Sequence, residues 1–287
     1  MPSLRITKCQ AAGNDFVLLD GLDGDDSPGL DYALLARFLC ARRQGVGADG
    51  LLVLLPASGA DSDVALRVFN ADGSEAQMCG NGMRCVAKYF ATPQRGGRTN
   101  LRVQTATRPV ATRLDRQDGV ERITVTMGVP DFTLAQAPPG TGTPAPFGVS
   151  FGNPHYVVFT DDELASFDLA ALAARINAGV PAERHANVEV ARGRGAALSM
   201  RVWERGVGET PACGSGACAV AVCALSSGRA TSPLSVAMQG GRVEVRWDGP
   251  GRPAYLTGDA VLTFSAHVEL PAQALSAAAA AALPAGA

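Results

Sequence analysis

The 287-residue sequence predicts an α/β (α+β) protein made of two pseudo-symmetric halves. Two observations point there. Short β-branched or apolar runs bounded by Gly, Asp or Pro outnumber the segments with helical spacing. A stretch of 21 residues also returns 134 positions later, each copy running from a strand through a loop into Cys-Gly-x-Gly and a helix.

In chain order, Leu4–Lys8 and Phe16–Leu19 read as strands. Asp31 can cap a helix whose Leu34, Leu35, Phe38 and Leu39 share one face. Leu51–Leu55 and Val64–Phe69 follow as strands, and a helix starts after Cys79 and runs through Val86–Phe90. In the second half the expected strands are Ile123–Thr126, Tyr156–Phe159, Val188–Val190, Leu198–Trp203, Val243–Trp247 and Ala260–Phe264. Val243, Val245 and Trp247 alternate with Arg242, Glu244 and Arg246, the pattern of a strand with one wet face. Leu169, Leu172 and Ile176 mark a helix over Leu169–Ile176, and another starts after Cys213 and runs through Val220–Leu225. Ala135–Pro146, rich in Pro, Gly and Thr, reads as a surface loop, and the Ala-rich Ala272–Ala287 as a helical or frayed tail.

The repeat aligns Arg67–Ala87 with Arg201–Ala221, identical at 8 of 21 positions, where composition alone would give about one or two. The shared residues include Arg67/Arg201, Glu75/Glu209, Cys79/Cys213, Gly80/Gly214 and Gly82/Gly216. A weaker echo links Gly13-Asn14-Asp15-Phe16 with Gly152-Asn153-Pro154-His155. The halves are expected at residues 1–115 with 265–287, carrying Cys79, and at 116–264, carrying Cys213, with the active site in the cleft between them.

Hydrophobic content of 47% with 18% charged residues fits a soluble globular core, and a net charge of −2 offers no footprint for nucleic acid or an anionic membrane. A small-molecule partner is the expectation. The first residues lack an apolar leader, and seven cysteines are an odd count, so reduced thiols in a cytoplasmic setting are expected.

Two cysteines, each just before a glycine-rich helix start, suit proton transfer at carbon. Inverting a C–H stereocentre needs one group to remove a proton and another to deliver one from the opposite face. A thiol starts near pH 8.5 and is lowered at a helix N-terminus, so it can serve in either state. Gly80 and Gly214 let backbone N–H groups approach a carboxylate, where they would stabilise an enolate-like transition state. Pyridoxal chemistry would need a lysine, and only Lys8 and Lys88 exist, neither in a phosphate-binding glycine loop. A pyridoxal enzyme is therefore not expected. The cysteine spacings fit no common zinc ligand pair, so no metal is expected either.

At these residues the chain resembles the diaminopimelate epimerase family. The resemblance rests on Gly13-Asn14-Asp15-Phe16, Gly45-Val46-Gly47-Ala48-Asp49, Phe69 to Glu75 leading to Cys79-Gly80-Asn81-Gly82, Gly152-Asn153-Pro154-His155, Ala186-Asn187-Val188, and Glu204-Arg205-Gly206 leading to Gly208-Glu209-Thr210-Pro211-Ala212-Cys213-Gly214-Ser215-Gly216. It implies two curled, mostly antiparallel or mixed, barrel-like sheets, each around a central helix, a homodimer, and conversion of LL-2,6-diaminopimelate to the meso form with no cofactor needed. It further implies Cys79 and Cys213 as the acid/base pair, tuned by His155 and Glu204. The N–H groups of Gly80, Asn81, Gly214 and Ser215 would hold the reacting carboxylate, and Asn14, Asn70, Asn153, Asn187, Glu204 and Arg205 the distal end. Two positions depart from the family pattern: Gly50 stands where Gln is common, and Ala11 where the opening glycine is usual. At Gly50 a substrate contact is lost or made through backbone.

Three rivals remain from residues alone: a proline or hydroxyproline racemase on the same scaffold, a zinc-binding or redox-sensing thiol protein, and a hydrolase using Cys79 with His155. Glu204-Arg205-Gly206 weighs against the first, because a cyclic imino acid has no distal amino-acid end. The hydrolase gives Cys213 no role. Cys9, Cys40, Cys85, Cys218 and Cys223 read as packing residues, and His185 and His267 as surface residues.

Overall fold

The computed structural model describes residues 3–22, 30–133 and 145–270. The expected loop at Ala135–Pro146 falls almost wholly outside these residues, and the expected Ala-rich tail lies entirely outside them. The chain divides into two compact units, Met1–Asp115 with Ala260–Ala287, and Arg116–Asp259.

The first unit contains β1 (Ser3–Ala11), β2 (Asn14–Asp20), α1 (Tyr32–Cys40), β3 (Gly50–Leu55), β4 (Val64–Asn70), β5 (Glu75–Ala76), α2 (Gly80–Phe90), β6 (Asn100–Gln104) and β7 (Pro109–Gln117). The second contains β8 (Val120–Gly128), β9 (Phe147–Ser150), β10 (Pro154–Phe159), α3 (Leu169–Ile176), β11 (Asn187–Glu204), β12 (Gly208–Thr210), α4 (Gly214–Ser226), β13 (Ala230–Met238), β14 (Gly241–Trp247) and β15 (Ala254–Gly258). The chain then returns to the first unit as β16 (Val261–Glu269), which pairs antiparallel with β1.

The first unit's strands run in the order β16-β1-β2-β3-β4-β6-β7, with β5 on β4. Helix α2 packs on β1 and β16 at one end of this order and on β6 near the other, so the sheet curls around it. Helix α1 lies on the opposite face, against β2, β3 and β4. Asp31 caps α1 by accepting from the Leu34 N–H at 3.0 Å. Leu35 and Leu39 of α1 bury against Val17, Leu19, Leu51 and Val53, the residues of β2 and β3 that point outward. The alternate residues, Phe16, Leu18, Leu52 and Leu54, are also buried. Covered on both faces, β3 therefore reads as one unbroken apolar run, Gly-Leu-Leu-Val-Leu-Leu.

The second unit repeats this plan. Its order is β8-β15-β14-β13-β11-β10-β9, with β12 on β11, and α4 packs on β9, β10, β11, β13, β14 and β15. Helix α3 covers the outer face of β11, where Leu169, Leu172 and Ile176 bury against Val158, Val188 and Val190.

One element is longer than the sequence pattern predicts. Segment β11 spans 18 residues, which as a straight strand would part its ends by about 60 Å. Instead the Arg205 N–H donates to Asn187 Oδ1 at 2.8 Å. A Cβ on Gly193 would stand 2.7 Å from the Ala197 carbonyl. Segment β11 is thus a hairpin that doubles back near Gly193 and Gly195, both at positive φ. Its arms correspond to the separate strands Val188–Val190 and Leu198–Trp203 expected from sequence. The register repeats as well: Val68↔Ala76 and Phe69↔Glu75 in the first unit become Val202↔Thr210 and Trp203↔Glu209 in the second.

Candidate functional site

In each unit a cysteine is the N-cap of the central helix. Cys79 has φ −135° and ψ 113°, and Cys213 has φ −130° and ψ 114°. Each Sγ accepts from the N–H three residues on, Gly82 or Gly216, at 3.4 Å. Glycine at these positions keeps the turn open. A Cβ on Gly82 would stand 2.8 Å from Leu52 Cδ2, and one on Gly216 2.7 Å from Glu189 Oε1. The thiol occupies the place of a Ser or Asp cap, where the helix dipole favours a developing thiolate. Helix geometry leaves the Gly80 and Asn81 N–H groups, and those of Gly214 and Ser215, without an acceptor inside their helices. Each thiol therefore sits beside two donors suited to an anion.

The repeated charges brace these loops. Arg67 makes two bonds to Glu75, both 2.8 Å, and Arg201 binds Glu209 at 2.7 and 2.8 Å. Each pair staples a strand to the short return strand that leads into its cysteine, which accounts for the recurrence of both residues.

A second repeated pair involves the asparagines. Asn81 donates to Asn14 Oδ1 at 3.2 Å, and in the other unit Asn153 donates to Ser215 Oγ at 3.3 Å. Asn81 and Ser215 are equivalent in the repeat. In the first unit the chain of bonds continues. Arg84, fully buried, donates to Asn81 Oδ1 at 2.9 Å, and Asn14 donates to Asp49 Oδ2 at 2.8 Å. Asp49 and Asp15 are tied by Arg42, and Lys8 binds Asp15 at 2.6 Å. Burial pushes the Asp15 carboxyl up, but Arg42 and Lys8 outweigh it and bring its pKa from 3.8 to about 2. Sequence reading missed this brace of Lys8, Asp15, Arg42 and Asp49, because each residue alone looks like a solvated surface charge. Asn70 bonds Ser74 Oγ at 2.9 Å and lies opposite Gly50 in the strand register. A Cβ on Gly50 would stand 2.7 Å from the Phe69 carbonyl, so the backbone leaves no room for a side chain there.

In the second unit His155, on β10, pairs in register with Asn187 on β11. Val188 and Val190 face α3, so Asn187 and Glu189 face the other way, toward α4. His155 Nδ1 lies 2.7 Å from Glu189 Oε1, and both side chains are fully buried. Glu204 bonds Thr210 and Cys213. Burial, the larger effect, raises the Glu204 carboxyl pKa against those bonds. Cys213 is 6% exposed. Burial first, then the charges of Glu204 and Glu189, lift its pKa well above the usual value, against help from Ser215 and the Gly216 N–H. Cys213 is thus enclosed among acidic neighbours, whereas Cys79 is only partly buried.

Within the first unit Asn14, Asn81 and Cys79 gather at the start of α2. Within the second Asn153, His155, Asn187, Glu204, Ser215 and Cys213 gather at the start of α4. Arg205 is exposed beside them and reaches Asn187 through its backbone. Glu189 was missed by sequence reading. The only hint was a charge inside Val188-Glu189-Val190, a strand with no wet face. Cys9, Cys40, Cys85, Cys218 and Cys223 are buried packing residues. His267 is exposed, and His185 is partly buried with Nε2 2.8 Å from the Val180 carbonyl. A cavity of about 310 Å³ lined by Arg5, Tyr89, Arg95 and Phe264 lies by the C-terminal end of α2, about 15 Å along the helix from Cys79. Among the described residues, no cluster of three or more His, Cys, Asp or Glu could hold a metal ion, and no helix is long and apolar enough to cross a membrane.

The family model for diaminopimelate epimerase matches residues 6–133 and 147–263. A diaminopimelate epimerase of Desulforudis audaxviator is 38% identical over 276 residues, covering 91% of this chain and 98% of the relative. One of Thermosynechococcus vestitus is 40% identical over 289 residues, covering 92% and 98%. Among solved structures, a probable proline racemase of Agrobacterium radiobacter superposes with TM-score 0.69 at 19% identity, covering 93% of each chain. A hydroxyproline epimerase of Agrobacterium vitis gives 0.67 at 19%, covering 93% of this chain and 92% of that one. These two share the fold, while the family model and the closer relatives go further: the chain belongs to the diaminopimelate epimerase family.

Proposed function

We propose that this chain epimerises LL-2,6-diaminopimelate to the meso form by proton transfer between two thiols, without a cofactor. The observation behind this reading is the pair of N-cap cysteines, repeated with the same dihedral angles and the same Sγ···H–N bond. Cys79 removes the α-proton as thiolate, and Cys213, which begins as the thiol, gives its proton to the opposite face of the carbon. The electron pair left on Cα flows into the carboxylate. N–H groups of Gly80, Asn81, Gly214 and Ser215 stabilise that charge. Both thiols lie at helix N-termini, so each can hold negative charge in its turn. The reverse reaction uses the same groups with exchanged roles.

Asn14, Asn70, Asn153, Asn187, Glu204 and Arg205 bind the distal amino-acid end in this reading, and Gly50 contributes backbone. Arg205 suits a two-point grip on a carboxylate. His155 and Glu204 adjust the proton affinity of the thiols. The setting is cytoplasmic and the protein a homodimer. Strand β16 supports the latter, since among the described residues it is an edge strand that leaves Val261 and Phe264 45% and 47% exposed. Light scattering on a sizing column should give twice the chain mass.

The substrate is tested by incubating the reduced protein with LL-diaminopimelate, L-proline and trans-4-hydroxy-L-proline, then separating stereoisomers chromatographically. Conversion of the first to the meso isomer supports the proposal. Conversion of the proline substrates alone would replace it with the racemase reading.

A further inference from the structure

Among the described residues, the buried pair His155–Glu189 leaves one atom of each side chain without a hydrogen-bond partner, His155 Nε2 and Glu189 Oε2. Buried polar atoms without partners are rare and call for an explanation. Both residues are fully enclosed, and Nδ1 and Oε1 stand 2.7 Å apart. A carboxylate only accepts, so the bond places a proton on Nδ1, and in the neutral imidazole Nε2 is then the acceptor nitrogen. The surroundings are built to admit this carboxylate. Gly216, the third residue of α4, has no Cβ where one would stand 2.7 Å from Oε1. The start of α4 also presents its positive end to the negative charge.

We propose that Glu189 is a positioning residue that holds His155 in the Nδ1–H tautomer beside Glu204 and Cys213. The titratable groups around the pair are Glu204, whose charge is felt by both His155 and Glu189, with Cys213 and Cys223 on α4. Glu189 is therefore the one member of this group whose hydrogen bond fixes a tautomer, while Glu204 bonds Thr210 and Cys213. Gly216 in this account serves two neighbours, giving its N–H to Cys213 Sγ and its empty Cβ position to Glu189.

Glu189 affects turnover only if His155 serves the epimerisation proposed above, whereas the tautomer can be read whether or not the chain epimerises anything. The sequence has three histidines, so ¹⁵N-histidine labelling with two-bond ¹H–¹⁵N correlation spectra resolves them, and His155→Gln assigns the signal. The wild-type protein should show His155 protonated on Nδ1. Glu189→Gln keeps the shape and an acceptor for Nδ1–H but removes the charge. It should keep the tautomer, lower kcat on LL-diaminopimelate about 10-fold with little change in KM, and move the pH–rate profile to lower pH. Glu189→Ala should mix the tautomers and lower kcat about 100-fold. A wild-type His155 protonated on Nε2 would overturn the proposal. So would a folded Glu189→Ala protein that keeps both the Nδ1–H signal and the wild-type pH profile. Should Glu189→Ala fail to fold, the wild-type spectrum and Glu189→Gln decide: an unchanged rate and profile in Glu189→Gln would refute the role of its charge.

Discussion

Adding a single methyl group at Gly216 tests how tightly the second unit's site is packed. In Gly216→Ala the new Cβ would stand 2.7 Å from Glu189 Oε1 and 3.3 Å from both Cys213 Cβ and Met200 Cε. A side-chain tip usually gives way cheaply, but Glu189 is fully buried and held by His155 at 2.7 Å. Its retreat breaks a buried charge-assisted hydrogen bond, costing about 1.5–3 kcal/mol. Replacing glycine within the helix returns about 0.4–1 kcal/mol through the unfolded chain. The net expectation is destabilisation of about 0.5–2.6 kcal/mol. Urea unfolding at neutral pH, followed by tryptophan fluorescence, measures it as a lower midpoint. Gly59→Ala is the control, since a Cβ there meets nothing within 4 Å, and it should leave the midpoint unchanged or slightly raised. A Gly216→Ala midpoint equal to or above wild type would refute the reasoning, because it would mean that Glu189 moves aside without loss.

Three further outcomes follow from the site. At pH 8, iodoacetamide should label Cys79 well before Cys213, which is 6% exposed and raised in pKa, and mass spectrometry of peptides reads the order. Equal rates at the two would contradict the asymmetry. Asp15, lowered from 3.8 to about 2, gives stability that is fully present above its unfolded pKa and is lost as pH falls from 3.8 toward 2. The amount is at most about 2 kcal/mol, and Asp15→Asn should flatten the loss between about pH 4 and pH 2 in urea titrations. Arg201 donates to the Leu164 and Phe167 carbonyls as well as to Glu209, so Arg201→Ala should cost about 2 kcal/mol, and a change below about 0.5 would make its brace idle.

Much of the fold could be read from the sequence because the central features are periodic or repeated. Helix Leu169–Ile176 and the cap at Asp31 followed from apolar spacing, and the Cys-Gly-x-Gly repeat located both central helices. Several strands escaped. Pro109–Gln117 alternates buried and exposed residues, but Thr112 sits on its buried face and its exposed positions include Arg113, Asp115, Arg116 and Gln117, so its apolar signal is thin. Ala230–Met238 begins with small and polar residues that resemble a turn. In β11 the glycines that turn the hairpin looked like a break between two strands, and the backbone continues through them. The site was legible where chemistry sits in a repeat, as at the two cysteines. It was not legible where partners are distant in sequence, as with His155 and Glu189, 34 residues apart, or Lys8 with Arg42 around Asp15.

The central claim is that each thiol is required and that protons enter and leave at the α-carbon. Proton NMR of the reduced protein with LL-diaminopimelate in D₂O tests it most directly, comparing wild type with Cys79→Ala and Cys213→Ala. The account predicts deuterium at one α-position as the meso isomer forms, and a loss of epimerisation of at least about 100-fold in either variant. A folded variant lacking either thiol that still epimerised within a few-fold of wild type would contradict it.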